Sequence, residues 1–261
     1  MISICLFVCQ CVIGQKVFQP KQVNMDWKGI VYKKERSYDL KMHTNGFAIG
    51  ANWGTLQTYY RTKYLRLELG YMKDPREKRQ NKNWAFPGQG TSSDFIFGKQ
   101  NTMFVLRGGL GYKKYLSEKT RRRGIAVGYN WEVGPSLALL RPYYLILRTF
   151  EETENGLVPV YTEEKYTEDN ADTFLDLTDI YGSAAFFDHF NEWSVVPGIQ
   201  GKMGLHLSLG AFEKYVKAFE VGIMFDAYFK KIPLLVETEE VKNKPYFINL
   251  YAHFEFGYRN N

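Results

Sequence analysis

The sequence predicts an all-β protein, an eight-stranded antiparallel up-and-down transmembrane β-barrel. Three observations predict it: alternating apolar residues, many aromatic residues, and the spacing of the connections. Along residues 63–71, leucines alternate with Arg66, Glu68 and Gly70, so one face of this strand is apolar and the other is charged or small. The chain also contains 19 Tyr, 19 Phe and 23 Gly, which is typical of strands joined by turns.

The same alternation recurs along the chain. The predicted strands cover residues 37–43, 47–53, 63–71, 102–113, 125–133, 199–209, 219–230 and 248–258. An even number of strands, each about 9 to 11 residues long or near it, suits tilted crossings of a bilayer.

The connections alternate between short and long. Asn45-Gly46 predicts a tight hairpin turn, Gly54-Thr55 a second turn, and Gly134-Pro135 a bulge or bend after which residues 137–147 extend the fifth strand. Residues 73–97 and 148–195 are long polar connections, the second with room for a short helix at 179–190, and 231–244 form a medium loop. With the N-terminus in the periplasm, the long connections lie on the outer side, as in membrane barrels.

Glycine indicates which face of the strands points inward. The glycines of the strands fall mainly on the charged face, and the interior of an eight-stranded barrel is just wide enough for side chains. The apolar face then meets lipid, and its ends carry an aromatic girdle of Trp53, Tyr71, Trp131 and Tyr258. The predicted lumen holds Asp39, Lys41, His43, Arg66, Glu68, Arg107, Glu132, Lys202, His206, Glu220, Asp226, His253 and Glu255.

Both signs of charge occur in this lumen in similar numbers, which favours a network of ion pairs that fills a narrow barrel. Catalysis is an alternative, with His206 or His253 as a base, Asp226 or Glu220 orienting it, and Ser208 as nucleophile. The chain has no G-x-S-x-G motif.

Metal binding is a further alternative for the lumen, through three histidines and a carboxylate, but their spacing matches no recognised ligand set. The histidines are His43, His206 and His253. We therefore expect no catalytic residues, no metal and no cofactor.

The N-terminal region and the net charge bear on where the protein is located and on whether it binds nucleic acid. Residues 1–15 resemble a signal peptide and contain all three cysteines, residues 16–36 form a predicted periplasmic extension, and residues 37–261 form the barrel. The net charge is +6, but no basic stripe coincides with stacking aromatic residues, so no nucleic acid is expected.

Two charged segments stand apart from the strands. The basic residues at 33–36 and 119–123 would share the periplasmic side and could meet acidic lipid head groups or an acidic partner. The acidic residues at 151–172 would lie outside, with solvation, divalent cations or a basic partner as the alternatives.

Several turn and strand motifs stand out along the chain: H-T-N-G-F from residue 43, G-K-Q-N from 98 leading into V-L-R-G-G from 105, and G-P-S-L from 134 with L-R-P-Y-Y-L from 140. Together they resemble an uncharacterised family of small outer-membrane β-barrel proteins of the Bacteroidota. The resemblance covers residues 31–261, implies the outer membrane of a Gram-negative cell and a barrel, and supplies no catalytic residues. The chain departs from the usual final aromatic residue, since three residues follow Tyr258.

The sequence thus predicts a non-enzymatic barrel in contact with outer-membrane lipid. The expected role is a structural or accessory subunit of an assembly for secretion, uptake or barrel insertion, whose long outer loops face a protein partner. The alternatives are a narrow channel, an outer-membrane enzyme and a soluble ligand-binding barrel.

Overall fold

A computed structural model describes residues 32–81, 93–116, 125–153, 156–186, 189, 191–209, 213–239 and 241–261. These residues form strands β1 Lys34–His43, β2 Gly46–Thr58, β3 Arg61–Met72, β4 Arg79–Gln80, β5 Phe95–Ile96, β6 Asn101–Tyr115, β7 Ala126–Pro142, β8 Tyr144–Thr153, β9 Gly156–Lys165, β10 Ile180–Ser183, β11 Ser194–Ser208, β12 Tyr215–Tyr228 and β13 Tyr246–Asn260, with a short helix α1 at Ala171–Phe174. Among the described residues, no helix has the length and apolar character needed to cross a membrane.

Eight of these strands close into an antiparallel barrel, in the order β1-β13-β12-β11-β7-β6-β3-β2. The first and last strands complete the wall, because Asp39 lies opposite Gly50 on one side and Glu255 on the other. Chain neighbours are wall neighbours, apart from the sheets inserted between β3 and β6 and between β7 and β11. The predicted fold class is therefore confirmed.

The wall of the barrel has an apolar outer face and a polar interior. Leu65 on β3 is 52% exposed and Ile223 on β12 is 54% exposed, while Arg66 beside Leu65 is 2% exposed. The same alternation of exposed and buried residues runs along all eight strands. Charges inside and apolar residues outside are the arrangement expected of a barrel surrounded by hydrocarbon.

The two ends of the barrel differ. The loop end carries the Thr44–Asn45 turn and the connections that follow β3, β7 and β12, while the turn end carries Tyr59–Tyr60 and both ends of the described chain. The predicted Asn45-Gly46 turn is present, and glycine is required there because a Cβ on Gly46 would lie 2.0 Å from the carbonyl oxygen of Tyr71.

Two strand boundaries differ from the sequence prediction. β1 begins at Lys34, so residues 34–36 belong to the barrel rather than to the extension. β2 continues to Thr58, and Gly54 lies within the ladder opposite Tyr64, where a small inward residue serves the narrow interior rather than a turn.

The bulge or bend expected at Gly134-Pro135 does not shift the β6–β7 register, which is the same on both sides. The ladder is interrupted there, because neither residue pairs with a position on β6.

The connection between β7 and β11 contains more secondary structure than predicted. Residues 137–147 do not form one continuing strand, because β7 ends at Pro142 and β8 starts a separate sheet in the order β10-β8-β9, here called the loop-end sheet. The helix expected at 179–190 is wrong for 180–183, which form β10 and pair with β8. The hydrophobic core of the loop-end sheet, here called the sheet core, consists of Phe95, Leu145, Leu147, Phe174, Ile180 and Val236.

Apolar residues close both ends of the lumen. At the loop end, the β12–β13 connection inserts Ile232 and Leu234 among inward-facing barrel residues. This loop-end plug comprises Met72, Met103, Val105, Ala138, Leu140, Val196, Tyr228, Ile232 and Leu234. At the turn end, the turn-end plug comprises Tyr60, Tyr115 and Ala126.

Candidate functional site: the charged lumen and the loop-end sheet

All thirteen predicted lumen residues are buried in the barrel, and His43 is the most exposed of them at 8%. Side chains alternate between the two faces of a strand with a period of two residues, and all thirteen lie at positions whose side chains point inward. The four predicted girdle residues all face outward: Trp53, Trp131 and Tyr258 lie toward the turn end, whereas Tyr71 lies at the loop end and contacts Phe104.

The half of the lumen nearer the loop end is organised around Arg107 on β6. Its guanidinium donates to both carboxylate oxygens of Asp226, at 2.8 and 2.9 Å, and to Oε1 of Glu68 at 3.0 Å. Glu68 also accepts from Lys41 and pairs with Arg66 at 2.8 Å. The network therefore links β1, β3, β6 and β12 across the lumen, and its charges are mutually paired as burial requires.

Arg66 extends this network around the lumen. It donates to Asp39, which also accepts from the amide of Asn52 at 3.0 Å, so the network also reaches β2. A separate pair joins β7 to β11, where Lys202 lies 3.1 Å from Glu132.

The half nearer the turn end is held by three charged residues that the prediction missed. Lys113 lies 3.0 Å from Glu255 and 3.4 Å from Glu35, and Arg259 donates to Glu35 at 2.7 Å. Glu35 has the inward parity of Asp39, and Arg259 has that of Glu255, so extending the alternation by two residues would have found both. These contacts fasten the first strand to the last.

Glu220 is the shared acceptor between these two halves. Tyr251 donates to Oε1 at 2.6 Å and Asn130 donates to Oε2 at 2.6 Å. The Nδ1 atom of His206 lies 3.2 Å from Oε2, and Nε2 of His253 lies 3.5 Å from it. His206 therefore acts here as a polar partner of a buried carboxylate, whereas His253 lies near it without a hydrogen bond in the described structure.

Of the proposed catalytic group, the contact between His206 and Glu220 is formed, but Ser208 does not join it. The hydroxyl of Ser208 is buried and has no hydrogen-bond partner in the described structure. Both oxygens of Asp226 are bound by Arg107, and Asp226 lies six residues along β12 from Glu220, about 20 Å at the rise of a strand. Within the described ranges, no cluster of three His, Cys, Asp or Glu side chains could hold a metal ion.

Little space remains inside the barrel. The cavity bounded by Tyr64, Arg66, Lys113 and Glu220 measures about 10 Å³, which is room for roughly one water molecule. Inward glycines are covered by neighbouring side chains: a Cβ on Gly111 would lie 2.1 Å from the ring of Tyr64. The lumen of the described structure is thus packed along its length and closed at both ends.

The loop-end sheet has the reverse organisation. Leu145 and Leu147 are buried in the sheet core, while carboxylates such as Glu152 and Glu163 are exposed. Lys165 on β9 lies 2.6 Å from Glu192, and this bond lowers the pKa of that carboxyl and raises the pKa of the lysine. A well-ordered acidic sheet with its own core therefore stands on the loop end of the barrel.

The comparisons with known proteins add one distant likeness. No protein-family model and no curated protein matches the chain. Among solved structures, the chain is similar to the N-terminal β-barrel domain of Pseudomonas aeruginosa OprF, with 10% identity over 88% of this chain and 100% of that chain and a TM-score of 0.29. A likeness at this distance does not extend to function.

Proposed function

We propose that the protein is a non-enzymatic outer-membrane barrel that serves as a structural or accessory subunit of a larger assembly. The observation that carries this proposal is the contrast between a filled, closed lumen and an ordered sheet built on one end of it. In the part of the chain that the structure describes, the lumen contains no open path for a solute and no assembled catalytic group. The surfaces available for binding are therefore the outer wall and the loop end.

The wall supports placement in a membrane. Large apolar residues are exposed around the whole circumference, whereas a protein dissolved in water would bury them. A closed antiparallel barrel also satisfies the backbone hydrogen bonds that hydrocarbon leaves without a partner. We place the loop end outside the cell, since long connections are typical of that side. We also propose that residues 1–15 are a signal peptide that directs export across the inner membrane.

The loop-end sheet supports a protein partner. It has a sheet core of six buried residues, and one of them, Val236, lies in the same β12–β13 connection as Ile232 and Leu234 of the loop-end plug. Tyr143, between β7 and β8, also donates its backbone N–H to Gln100 O at 2.9 Å. A surface held this firmly is pre-organised for binding, because little conformational entropy is lost on association. The assembly could serve secretion, uptake or barrel insertion.

The test is purification from membranes in a mild detergent, with unboiled and boiled samples compared on a gel. We expect faster migration before boiling, a native size larger than one chain, and a partner present in stoichiometric amount. A lone monomer with no co-purifying protein would contradict the subunit role, and a protein found in the soluble fraction would contradict the membrane placement.

Single-channel recording tests the channel alternative. We expect no conductance above the lipid background, because apolar plugs close both ends and the interior cavity holds about one water. Stable conductance steps from the purified protein would overturn the filled-lumen interpretation.

A further inference from the structure

The hairpin of β8 and β9 extends beyond the rest of the loop-end sheet. β10 pairs with β8 only between Leu145 and Leu147, and at the base of the hairpin Arg148 N donates to Asp179 O while the ring of Tyr161 contacts that of Tyr181 on β10. Beyond this base, residues 149–153 and 156–160 are paired with each other and with no third strand among the described residues. Five residues of antiparallel strand extend about 17 Å. The hairpin therefore projects as a two-stranded arm with both faces accessible.

One face of this arm carries exposed apolar side chains. Phe150 is 54% exposed and Leu157 is 70% exposed, and Tyr161 is exposed on the same face. The register places Phe150 opposite Pro159 and Arg148 opposite Tyr161, so these side chains are neighbours across the two strands. The sheet core does not include them, and exposed groups of large apolar residues mark interaction sites.

Burial in the membrane does not account for this patch. Glu152 lies opposite Leu157, and Glu163 lies two residues from Tyr161 on the same face, and both carboxylates are exposed. Moving them into hydrocarbon together with the apolar residues would cost far more than the apolar burial returns. The patch thus requires a contact outside the hydrocarbon.

The edges of the arm disfavour recognition by strand addition. On β9, Pro159 lies in the middle of the strand and has no backbone N–H, so it interrupts the donors along that edge. On β8, the edge beyond Leu147 carries two adjacent glutamates, Glu151 and Glu152, and charged residues discourage pairing at an edge. The exposed apolar side chains of the face are therefore the better binding surface.

Charge restricts the chemistry of the partner. Residues 143–193 contain twelve Asp and Glu against Arg148 and Lys165, a net charge of −10 with histidine neutral. A second copy of this chain would present an equally acidic sheet, and an acidic lipid surface would repel it in the same way. A basic surface with apolar side chains complements both features of the arm.

We infer that the projecting face of the β8–β9 hairpin, with Phe150, Leu157 and Tyr161 at its centre, binds a protein segment in which Lys or Arg alternates with apolar residues. This inference rests on the proposed function and names the surface and the partner chemistry for it. The apolar side chains supply the contact area. Arg148 shares this face and lies 5.2 Å from the centre of the Phe150 ring, so the preference for a basic partner comes from the net charge of −10 over residues 143–193, with Glu152 and Glu163 at the margin of the patch.

The test uses the full mature chain in nanodiscs of zwitterionic phosphatidylcholine, with empty discs as the background. The probes are two labelled 12-residue peptides, one alternating Lys and Leu and the other alternating Glu and Leu, and binding is followed by fluorescence anisotropy. We expect the Lys/Leu peptide to bind at least about tenfold more tightly than the Glu/Leu peptide, and its affinity to fall as salt screens the charges. Equal affinities, or no binding of the Lys/Leu peptide, would overturn the inference.

Variants locate the contact. Phe150→Ser combined with Leu157→Ser should weaken the Lys/Leu peptide about tenfold or more, because two apolar side chains leave the interface. The matched control is Leu177→Ser, an exposed leucine between α1 and β10, which should change the affinity less than twofold. An unchanged affinity in the double variant would place the contact elsewhere.

Two further measurements separate folding and the wider function from this contact. Glu163→Lys keeps every apolar side chain and should weaken the Lys/Leu peptide while strengthening the Glu/Leu peptide, and the heat-shifted gel mobility of each variant reports an intact barrel. If the Phe150/Leu157 variant loses the peptide but still co-purifies in the full-sized assembly, the docking surface is wrong and the subunit role stands. If the unaltered chain binds the peptide but purifies as a lone monomer, the subunit role is wrong and the docking surface stands.

Discussion

The barrel and the loop-end sheet bury opposite kinds of side chain, although both are built from alternating strands. β3 buries Arg66 and Glu68 and exposes its leucines, whereas β8 buries Leu145 and Leu147. Alternation divides a strand into two faces and does not say which face is covered. The surroundings decide this: hydrocarbon covers the apolar face of the wall, and water surrounds the sheet.

The two regions therefore depend on different interactions. The barrel interior is held by ion pairs that connect distant strands, such as Arg107 with Asp226, while the loop-end sheet is held by apolar burial. If this comparison is right, the two regions should unfold separately. Substitutions in the lumen should destabilise the barrel, and substitutions in the sheet core should destabilise the loop-end sheet.

The largest effect is expected for Arg107→Met. This substitution leaves Asp226 without its two hydrogen bonds and Glu68 with one cation fewer in a buried site. Removing one partner of a buried pair costs about 3 to 5 kcal/mol of unfolding free energy. Urea titration of the folded gel band measures it, and Lys63→Met, which removes an outward cation of β3, should stay within about 0.5 kcal/mol. Equal effects of the two substitutions would mean that the lumen pairs do not hold the barrel.

A loss of stability of similar size, confined to the loop-end sheet and measured by proteolysis, is expected for Phe174→Ala. Phe174 is fully buried in the sheet core, and truncation of such a residue costs about 3 to 5 kcal/mol. The loop-end sheet should become sensitive to surface protease, with cuts between residues 143 and 193, while the gel mobility of the barrel before boiling is kept. Loss of the folded barrel band in this variant would show that the two regions unfold together.

A smaller effect is expected for Gly111→Ala. A Cβ at this inward position would overlap Tyr64, since two ring carbons and the hydroxyl oxygen lie within 2.4 Å of it. Overpacking of this kind costs about 1 to 3 kcal/mol. The matched control is Gly201→Ala, where the nearest neighbouring atom lies 3.8 Å from the added carbon. If both variants have the same urea midpoint, the lumen is looser than the contacts around Gly111 indicate.

The smallest effect is expected from pH at the loop end. Partial burial alone would raise the pKa of Asp74, but hydrogen bonds from the side chain and backbone of Arg76 lower the pKa below its ordinary value. The stabilisation is therefore present above the ordinary carboxyl pKa of about 3.9 and is lost as the pH falls through the lower folded value. The protection factors for amide exchange at residues 73–81, corrected for the intrinsic rate at each pH, should fall below about pH 4 by the equivalent of less than about 1 kcal/mol. In Asp74→Asn this step should be missing, and an identical profile would assign the change to another group.

Much of the barrel was predictable because each strand repeats one simple pattern. All thirteen lumen residues lie inside because inward parity is a local property of a strand. Glu35 was missed because it lies between Lys34 and Arg36, where three successive charges conceal the alternation. The pairing of Arg107 with Asp226 was not predictable, since the two residues are 119 positions apart and their approach depends on the stagger of the closed wall.

The loop-end sheet was missed for a different physical reason. Leu145 and Leu147 alternate as a strand should, but a single residue, Tyr143, separates β7 from β8, so the sequence reads as one long strand. The four residues of β10 are too short to show a period, and their strand conformation depends on pairing with β8. Tertiary contacts formed these elements, and a local pattern could not report them.

The pairing of β1 with β13 also sets the order in which the protein can be completed. Ser37 bonds to Glu255, 218 positions later in the chain, and the lumen contact of Glu35 with Arg259 spans 224. Of the barrel strands, β1 is synthesised first and therefore waits longest for its neighbour, with an unpaired edge until β13 is made. A chain that lacks β13 leaves β1 and β12 as the open edges of a sheet, so closure of the barrel depends on the arrival of β13.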